Sequence, residues 1–353
     1  MGGPTLQVSA FLGPETRPVI HVCQSLISGV FRLGLNRFTL TCGFIGPRGP
    51  PPACNICRTT GMLSYLDCDT GIDDALAIAY LLAHPGVTLA GIGTVNGNTT
   101  APQAAANTLG LLALAGRDDI PVAVGEGEQP YPVSVHGGGG VGGVRLPAGG
   151  RPAPGTAVDL LLGLARRHPG ELHVIVTGPC GNLAAALAAE PRLPELVASV
   201  TVMGGAVRTA GNRTSRAEAN IRHDPAAAAT VLSAPWPVTL VPLDVTVEHR
   251  WTVADSDALR AGGTPLHTVL ADMLPAYFDA YESRLGAREI PLHDPLAAAV
   301  AAGEVTPADA PRLSIRVAAD GRTVEDPTGS AVRVVLSLAE PAGPVLLRRI
   351  RGQ

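Results

Sequence analysis

Lysine is absent from this chain, and all 26 basic residues are arginine. That absence removes Schiff-base catalysis and the lysine of a phosphate-binding P-loop. Alongside abundant Ala, Gly and Pro it reads as the codon bias of a GC-rich genome, and no chemistry is placed on it. Aromatic residues make up only 3% of 353 positions, and the net charge is −4. Stacking platforms and a basic footprint are therefore both missing, which argues against a nucleic-acid partner. No apolar run reaches the length of a membrane span. A secretory signal is lacking too, because Val19 to Leu35 is interrupted by His21, Gln24, Ser25 and Arg32.

Cysteine is sparse and badly spaced for metal. Cys54-x-x-Cys57 has no second Cys/His pair at metal-site spacing, so neither a zinc knuckle nor a redox pair is favoured. Residues 1–61 hold four of the six cysteines, a Pro-rich stretch from Gly46 to Pro52, and no sustained helix periodicity. They read as a disordered leader or a misassigned start, with a single domain over 62–353. Cys68 and Cys180 are then expected as free buried thiols in a reducing cytoplasm.

What is present is a dense acidic segment, Asp67-Cys68-Asp69-Thr70-Gly71-Ile72-Asp73-Asp74. Met62 to Leu66 has the length of a buried strand, and Ala75 to Ala83 reads as an Ala/Leu-rich helix ended by His84-Pro85-Gly86. The acids therefore occupy a strand-to-helix loop, the edge at which open α/β sheets bind ligands. Asp73 and Asp74 are placed to cap the helix start, but capping does not account for four carboxylates. A hard divalent cation is the natural counter-charge. An EF-hand needs Glu at its twelfth position, where Ile78 stands. An aspartyl-phosphate phosphatase shares the Asp67-x-Asp69 opening but wants Thr or Val at Gly71 and usually a later Lys.

Downstream, strand-like and helix-like runs alternate: Val87–Val95, Ala104–Ala115, Pro121–Val124, Asp159–Arg166, Leu172–Val176, Leu183–Ala189, Val197–Met203, Ala226–Leu232 and Val238–Pro242. With 46% hydrophobic residues to fill a core, this pattern predicts an α/β fold. Its mainly parallel central sheet is open and doubly wound, with helices on both faces. Residues 255 to 302 read as mostly helical. Leu313–Val317, Arg322–Val324 and Ala331–Leu336 suggest a small C-terminal antiparallel appendage. Polar residues fall at the strand ends: Asn96-Gly97-Asn98, Thr177 to Asn182, Met203-Gly204-Gly205, Asn212, Glu218-Ala219-Asn220 and His293-Asp294-Pro295. Singly these are turn and capping chemistry. Together they put Asp, Asn, Glu and His on one edge, the profile of a metal-assisted sugar site.

The combined pattern resembles the inosine-uridine preferring nucleoside hydrolase family, in the branch that carries a histidine beside the base. The resemblance runs from Met62 to the C-terminus through the Asp-x-Asp-x-Gly-x-Asp-Asp signature and five further motifs in family order. It implies hydrolysis of the N-glycosidic bond of ribonucleosides to ribose and free base, pyrimidine-preferring or broad, by a homodimer or homotetramer. It also implies a Ca²⁺ held by Asp69, Asp74, Asp294 and the main-chain oxygen of Gly181, where the family commonly has Thr. Asp69 takes a proton from the attacking water, with Asn98 in the catalytic set. Asp73, Asn98, Asn212, Glu218 and Asn220 grip ribose hydroxyls, Met203 lines the sugar, and His293 is the acid for the leaving base. Tyr277 and Tyr281, one helical turn apart, flank the base or pack in the core. Val135 to Gly143 matches a glycine-rich family segment without its usual polar residue, and loops near Val141 and Tyr281 are expected as lids. Two other readings stay open: a different N-ribosyl substrate, such as nicotinamide riboside or a modified nucleoside, and a metal-stabilised binding protein.

Overall fold

The apolar run ahead of the acids forms β1 (Met62–Cys68), buried from Ser64 onward. Alternate residues of a strand face opposite sides of a sheet. Leu66 and Cys68 accordingly join one apolar cluster and Tyr65 the other. The same split divides Ile175 from Val174 and Val176 in β4 (Leu172–Val176). Both faces of the sheet are thus covered, as the near-continuous hydrophobic runs require. The computed structural model describes residues 61–125, 129, 131 and 135–352. The expected leader, apart from Gly61, lies outside them.

The remaining strands of the main sheet are β2 (Val87–Thr94), β3 (Val122–Val124), β5 (Val197–Met203), β6 (Val238–Val241), β10 (Arg312–Val317), β11 (Thr323–Glu325) and β12 (Ser330–Val334). Nine strands run in the order β11-β10-β12-β6-β5-β4-β1-β2-β3. The pairs from β3 through to β6, and β6 with β12, are parallel. β1 pairs with β2 on one side and β4 on the other, so the strand order reverses there. Such a switch point opens a crevice beyond the carboxyl ends of the strands.

Helices α1 (Ile72–Ala83) and α2 (Ala101–Leu114) pack into the first cluster; α3 (Ala157–Arg167) and α4 (Gly181–Ala189) pack into the second. The short α5 (Leu193–Leu196), α6 (Ala219–His223) and α7 (Pro225–Ser233) follow, then α8 (Leu243–Thr246) directly after β6. Beyond them lie α9 (Val253–Arg260), α10 (Pro265–Leu285), α11 (His293–Ala302) and α12 (Ala342–Ile350). Two small antiparallel ribbons complete the fold: β7 (Arg250–Thr252) with β8 (Glu289–Pro291), and β9 (Pro307–Asp309) with β13 (Ser337–Leu338). Among the described residues no helix is long and apolar enough to cross a membrane.

The parallel core follows the expected runs closely. Two local differences have physical causes. The first helix starts at Ile72 rather than Ala75, with Gly71 as its N-cap, so Asp73 and Asp74 sit inside the first turn. Asp74 still satisfies a free helix-end donor, because its Oδ2 accepts from the Gly71 N–H at 2.7 Å. At the other end, β10, β11 and β12 are antiparallel as expected. They continue the main sheet, however, since β12 adds to β6 and covers what would otherwise be a bare edge.

Candidate active site

The carboxyl end of β1 runs into a knot of buried acids. Asp69, Asp73 and Asp74 are at most 5% exposed, and Asp294 in the first turn of α11 is 3% exposed. Oxygens of Asp73, Asp74 and Asp294 lie within 4.8 Å of one another. Asp69 touches Asp74 but stands outside that trio. Of the expected ligands, Asp74 and Asp294 fall in this trio together with Asp73, and Asp69 stands next to it. Gly181, the fourth expected ligand, is the first residue of α4 and follows the loop that carries Thr177.

Neutral donors hold this knot in place. Asp69 Oδ2 accepts from the Asn98 N–H at 2.6 Å, and a Cβ on Gly97 would collide with the same oxygen, so only glycine fits beside it. Asp74 Oδ1 accepts from the Thr177 hydroxyl at 2.7 Å. Asp73 Oδ2 accepts from Tyr277 at 3.1 Å. Behind them Asp67 Oδ1 accepts from Asn182 Nδ2 at 2.8 Å. Burial pushes the carboxyls of Asp69, Asp74 and Asp294 upward, neighbouring carboxylates push them further, and Asp67 rises to about 7. Among the described residues, no arginine is close enough to hold any of these four down. Asp69 Oδ1 is buried with no hydrogen-bond partner among the described residues. An unsatisfied buried oxygen among crowded carboxylates needs a positive partner. An all-oxygen donor set of this kind fits a hard divalent cation.

Over the acids opens a cavity of about 340 Å³. Its walls bring together Asp73, Asn98, Met203, Asn212, Glu218, Asn220, His293 and Asp294 from the expected set; Asp69 and Asp74 lie beneath. Asn220 Nδ2 donates to the Thr177 carbonyl at 2.7 Å and lies against the Met203 sulfur. Asn212 Oδ1 accepts from the Ala219 N–H at 2.9 Å, which leaves its amide nitrogen for a ligand. Glu218 caps α6: its carboxylate takes the N–H groups of Gly205, Asn220 and Ile221. Backbone donors thus offset much of its charge.

The other wall is aromatic. Three of the five tyrosines in the chain, Tyr131, Tyr277 and Tyr281, line the cavity. Tyr277 and Tyr281 meet edge to face at 4.9 Å, and His136 stacks on Tyr277 at 4.9 Å. His293 is held at both ring nitrogens, with Thr246 Oγ1 2.8 Å from Nδ1 and the Tyr281 hydroxyl 3.0 Å from Nε2. The resemblance made His293 the acid for the leaving base, which asks for a ring that titrates near neutral pH. Burial instead pushes its pKa down to about 4, and likewise that of His136. His136 Nδ1 accepts from the Ile72 N–H at 3.0 Å, which ties its ring to the acid loop.

Sequence reading missed Tyr131, Arg213, Thr246 and Arg284. Tyr131 hydrogen-bonds the Ala219 carbonyl and carries the Arg213 guanidinium 4.0 Å over its ring. Arg284 sits over Tyr281 at 5.7 Å, and both arginines line the mouth. The scarcity of tyrosine was the available signal for Tyr131; Thr246 had none. The glycine-rich segment is hydrogen-bonded to α2. Gly137, Gly139, Gly140, Gly142 and Gly143 all adopt positive φ, which explains glycine there. Asn107 Nδ2 bonds both the Gly139 and Thr70 carbonyls, and Val141 is buried. Tyr281 lies within the 21-residue helix α10. Cys68 and Cys180 are free and buried, as expected.

Known proteins are similar to this chain in sequence and fold. The chain is 37% identical over 236 residues to the pyrimidine-specific ribonucleoside hydrolase RihA of Citrobacter koseri, covering 65% of this chain and 75% of that one. The structure superposes on a purine-preferring ribonucleoside hydrolase from Gardnerella vaginalis with a TM-score of 0.77 and 32% identity, over 82% of this chain and 98% of the other. A plant nucleoside hydrolase, PpNRh1, matches with a TM-score of 0.77 and 29% identity, over 83% and 99%. The family model for inosine-uridine preferring nucleoside hydrolase matches residues 64–342. With the acids at the switch point and polar residues around them, the chain belongs to the inosine-uridine preferring nucleoside hydrolase family, hydrolases acting on N-glycosyl compounds.

Proposed function

We propose that the protein is a Ca²⁺-dependent ribonucleoside hydrolase that prefers pyrimidine nucleosides. The observation that carries this reading is Asp69 Oδ1, without a hydrogen-bond partner among the described residues and set among buried carboxylates that no described arginine offsets. Asp69, Asp73, Asp74 and Asp294 would hold the cation, with the Gly181 main-chain oxygen added on the strength of the family resemblance. When bound, Ca²⁺ supplies positive charge to gather the carboxylates and Lewis acidity toward oxygen.

The chain's own residues then divide the work. Asp69, fixed by the Asn98 N–H, takes the proton of a water attacking the anomeric carbon. Asn98, Asp73, Asn212, Glu218 and Asn220 grip the ribose hydroxyls, and Met203 packs against the sugar. These contacts orient the ring and favour an oxocarbenium-like transition state over a carboxylate-rich floor. At the far wall, His293 and Tyr281 supply hydrogen-bond donors to the departing base. The pyrimidine preference is supported by likeness to a pyrimidine-specific relative. A cytoplasmic location in salvage or catabolism of nucleosides, a homodimer or homotetramer, and a single catalytic domain over 62–353 complete the proposal.

The test is release of reducing sugar from uridine, cytidine, inosine and adenosine, with and without chelator, by the wild type and an Asp69→Ala variant. Chelator-sensitive, Asp69-dependent release that is fastest from the pyrimidine nucleosides is the expected result. Calcium binding without release from any of the four would sink the reading and point to a different N-ribosyl substrate or a binding role.

A further inference from the structure

Thr246 is 0% exposed and ends α8, a one-turn helix with no sequence motif. Its position is tightly set. The Leu243 N–H bonds the Gly205 carbonyl at 2.9 Å, and the Asp244 carboxylate takes the N–H groups of Val207 and Arg208 at 2.9 and 2.7 Å. From there the Thr246 hydroxyl reaches His293 Nδ1 at 2.8 Å and, among the described residues, has no other partner.

Donor accounting decides which atom gives the hydrogen. Were Nδ1–H the donor, the Thr246 hydroxyl hydrogen would be buried without an acceptor, an arrangement folded proteins avoid. The hydroxyl therefore donates and Nδ1 accepts, so the ring hydrogen sits on Nε2. That nitrogen faces Tyr281 at 3.0 Å, and Tyr281 stands edge-on to Tyr277, whose hydroxyl donates to Asp73. We infer that Thr246 is a positioning residue: its hydroxyl holds His293 as the Nε2–H tautomer, which aims a donor hydrogen at the departing base, directly or through Tyr281. An imidazole in the other tautomer would present a lone pair there and oppose the negative charge that develops on the leaving nitrogen. The role assigned to Thr246 rests on the ribonucleoside hydrolysis proposed above.

Two variants and two readouts test it. Thr246→Val keeps the shape and deletes the hydroxyl, and Thr246→Ser restores it. In ¹⁵N NMR of the intact protein without substrate, the His293 ring is assigned by its loss in His293→Gln. The wild type and Thr246→Ser should show Nε2–H, and Thr246→Val a shift toward Nδ1–H; Nδ1–H in the wild type overturns the inference. In turnover, Thr246→Val should lower kcat for uridine by about 10- to 100-fold with KM within about threefold. The same variant should act on 4-nitrophenyl β-D-ribofuranoside within about twofold of wild type, because a phenolate leaves without a donor. Thr246→Ser should recover uridine turnover to within about threefold. Equal losses on both substrates would make Thr246 a structural residue only. A wild type inactive on both substrates would count against ribonucleoside hydrolysis, while the NMR readout still decides the tautomer.

Discussion

The two walls of the cavity are built in opposite ways. The floor beneath the polar wall comes largely from the eight-residue segment that begins at the end of β1, where carboxylates are pinned by backbone N–H groups and by Thr177. The base wall is assembled from α8, α10 and α11, and its contacts run from side chain to side chain. Backbone donors move only if the fold moves, whereas a side-chain network can be changed one group at a time. On the function proposed above, the difference assigns the reaction itself to the floor and the choice of nucleoside to the base wall.

Changing the floor should have the largest effect and should ignore the base. Asp294→Ala is expected to lower kcat/KM by about 10³-fold or more for uridine and inosine alike, since it removes a carboxylate from the cation and oxocarbenium site. A loss confined to one base would break the distinction between the walls. Chelation should likewise abolish turnover, with calcium restoring it, and calcium at 100 times its dissociation constant should stabilise the fold by about 2.7 kcal/mol. The pH dependence of the metal-free protein follows from the raised carboxyls. A carboxyl whose pKa is raised on folding contributes stability below its unfolded value and loses it as pH rises through its folded value. With Asp67 at about 7 and Asp69, Asp74 and Asp294 also raised, thermal melting should fall as pH rises from about 6.5 through about 7. His136 and His293, lowered to about 4, act only below about 6.5, where protonation of the unfolded chain opposes folding. Added calcium should flatten the decline above neutrality; a melting temperature rising with pH in the metal-free protein would contradict the burial of the acids.

Support behind the floor should show in stability. Asn182→Ala strips Asp67 Oδ1 of its donor and is expected to cost about 1–3 kcal/mol in denaturant unfolding, without altering the ranking of bases. The base wall should respond more gently and selectively. Tyr281→Phe removes the partner of His293 Nε2 and should lower kcat for nucleosides by about 3- to 10-fold. The smallest change is expected from Arg284→Ala, a rise of about two- to fivefold in KM from loss of an exposed cation at the mouth. A larger effect from Arg284 than from Asp294 would reverse the assignment of the two walls.

The parallel core was legible because strands and helices announce themselves locally. Val87 to Thr94 and Leu172 to Val176 are short apolar runs between turn residues, and their ends fell within a residue or two of expectation. The start of α1 was less legible, since a glycine N-cap with an acid three residues on looks like loop sequence. The union of β12 with β6 was not legible either, because β-pairing between residues nearly a hundred positions apart leaves no periodic trace.

By itself the sequence determined the class of fold, the site's place at the carboxyl end of β1, and a cluster of acids able to hold a cation, because four acids in eight residues must be close however the chain folds. Only the tertiary structure decided that Asp73 joins Asp74 and Asp294, that Glu218 spends its charge on backbone donors, and that His293 is buried and held at both nitrogens. Tyr277 reaches Asp73 across 204 positions and Thr246 reaches His293 across 47. Contacts at that separation depend on how helices dock over the sheet, which no local pattern of residues encodes.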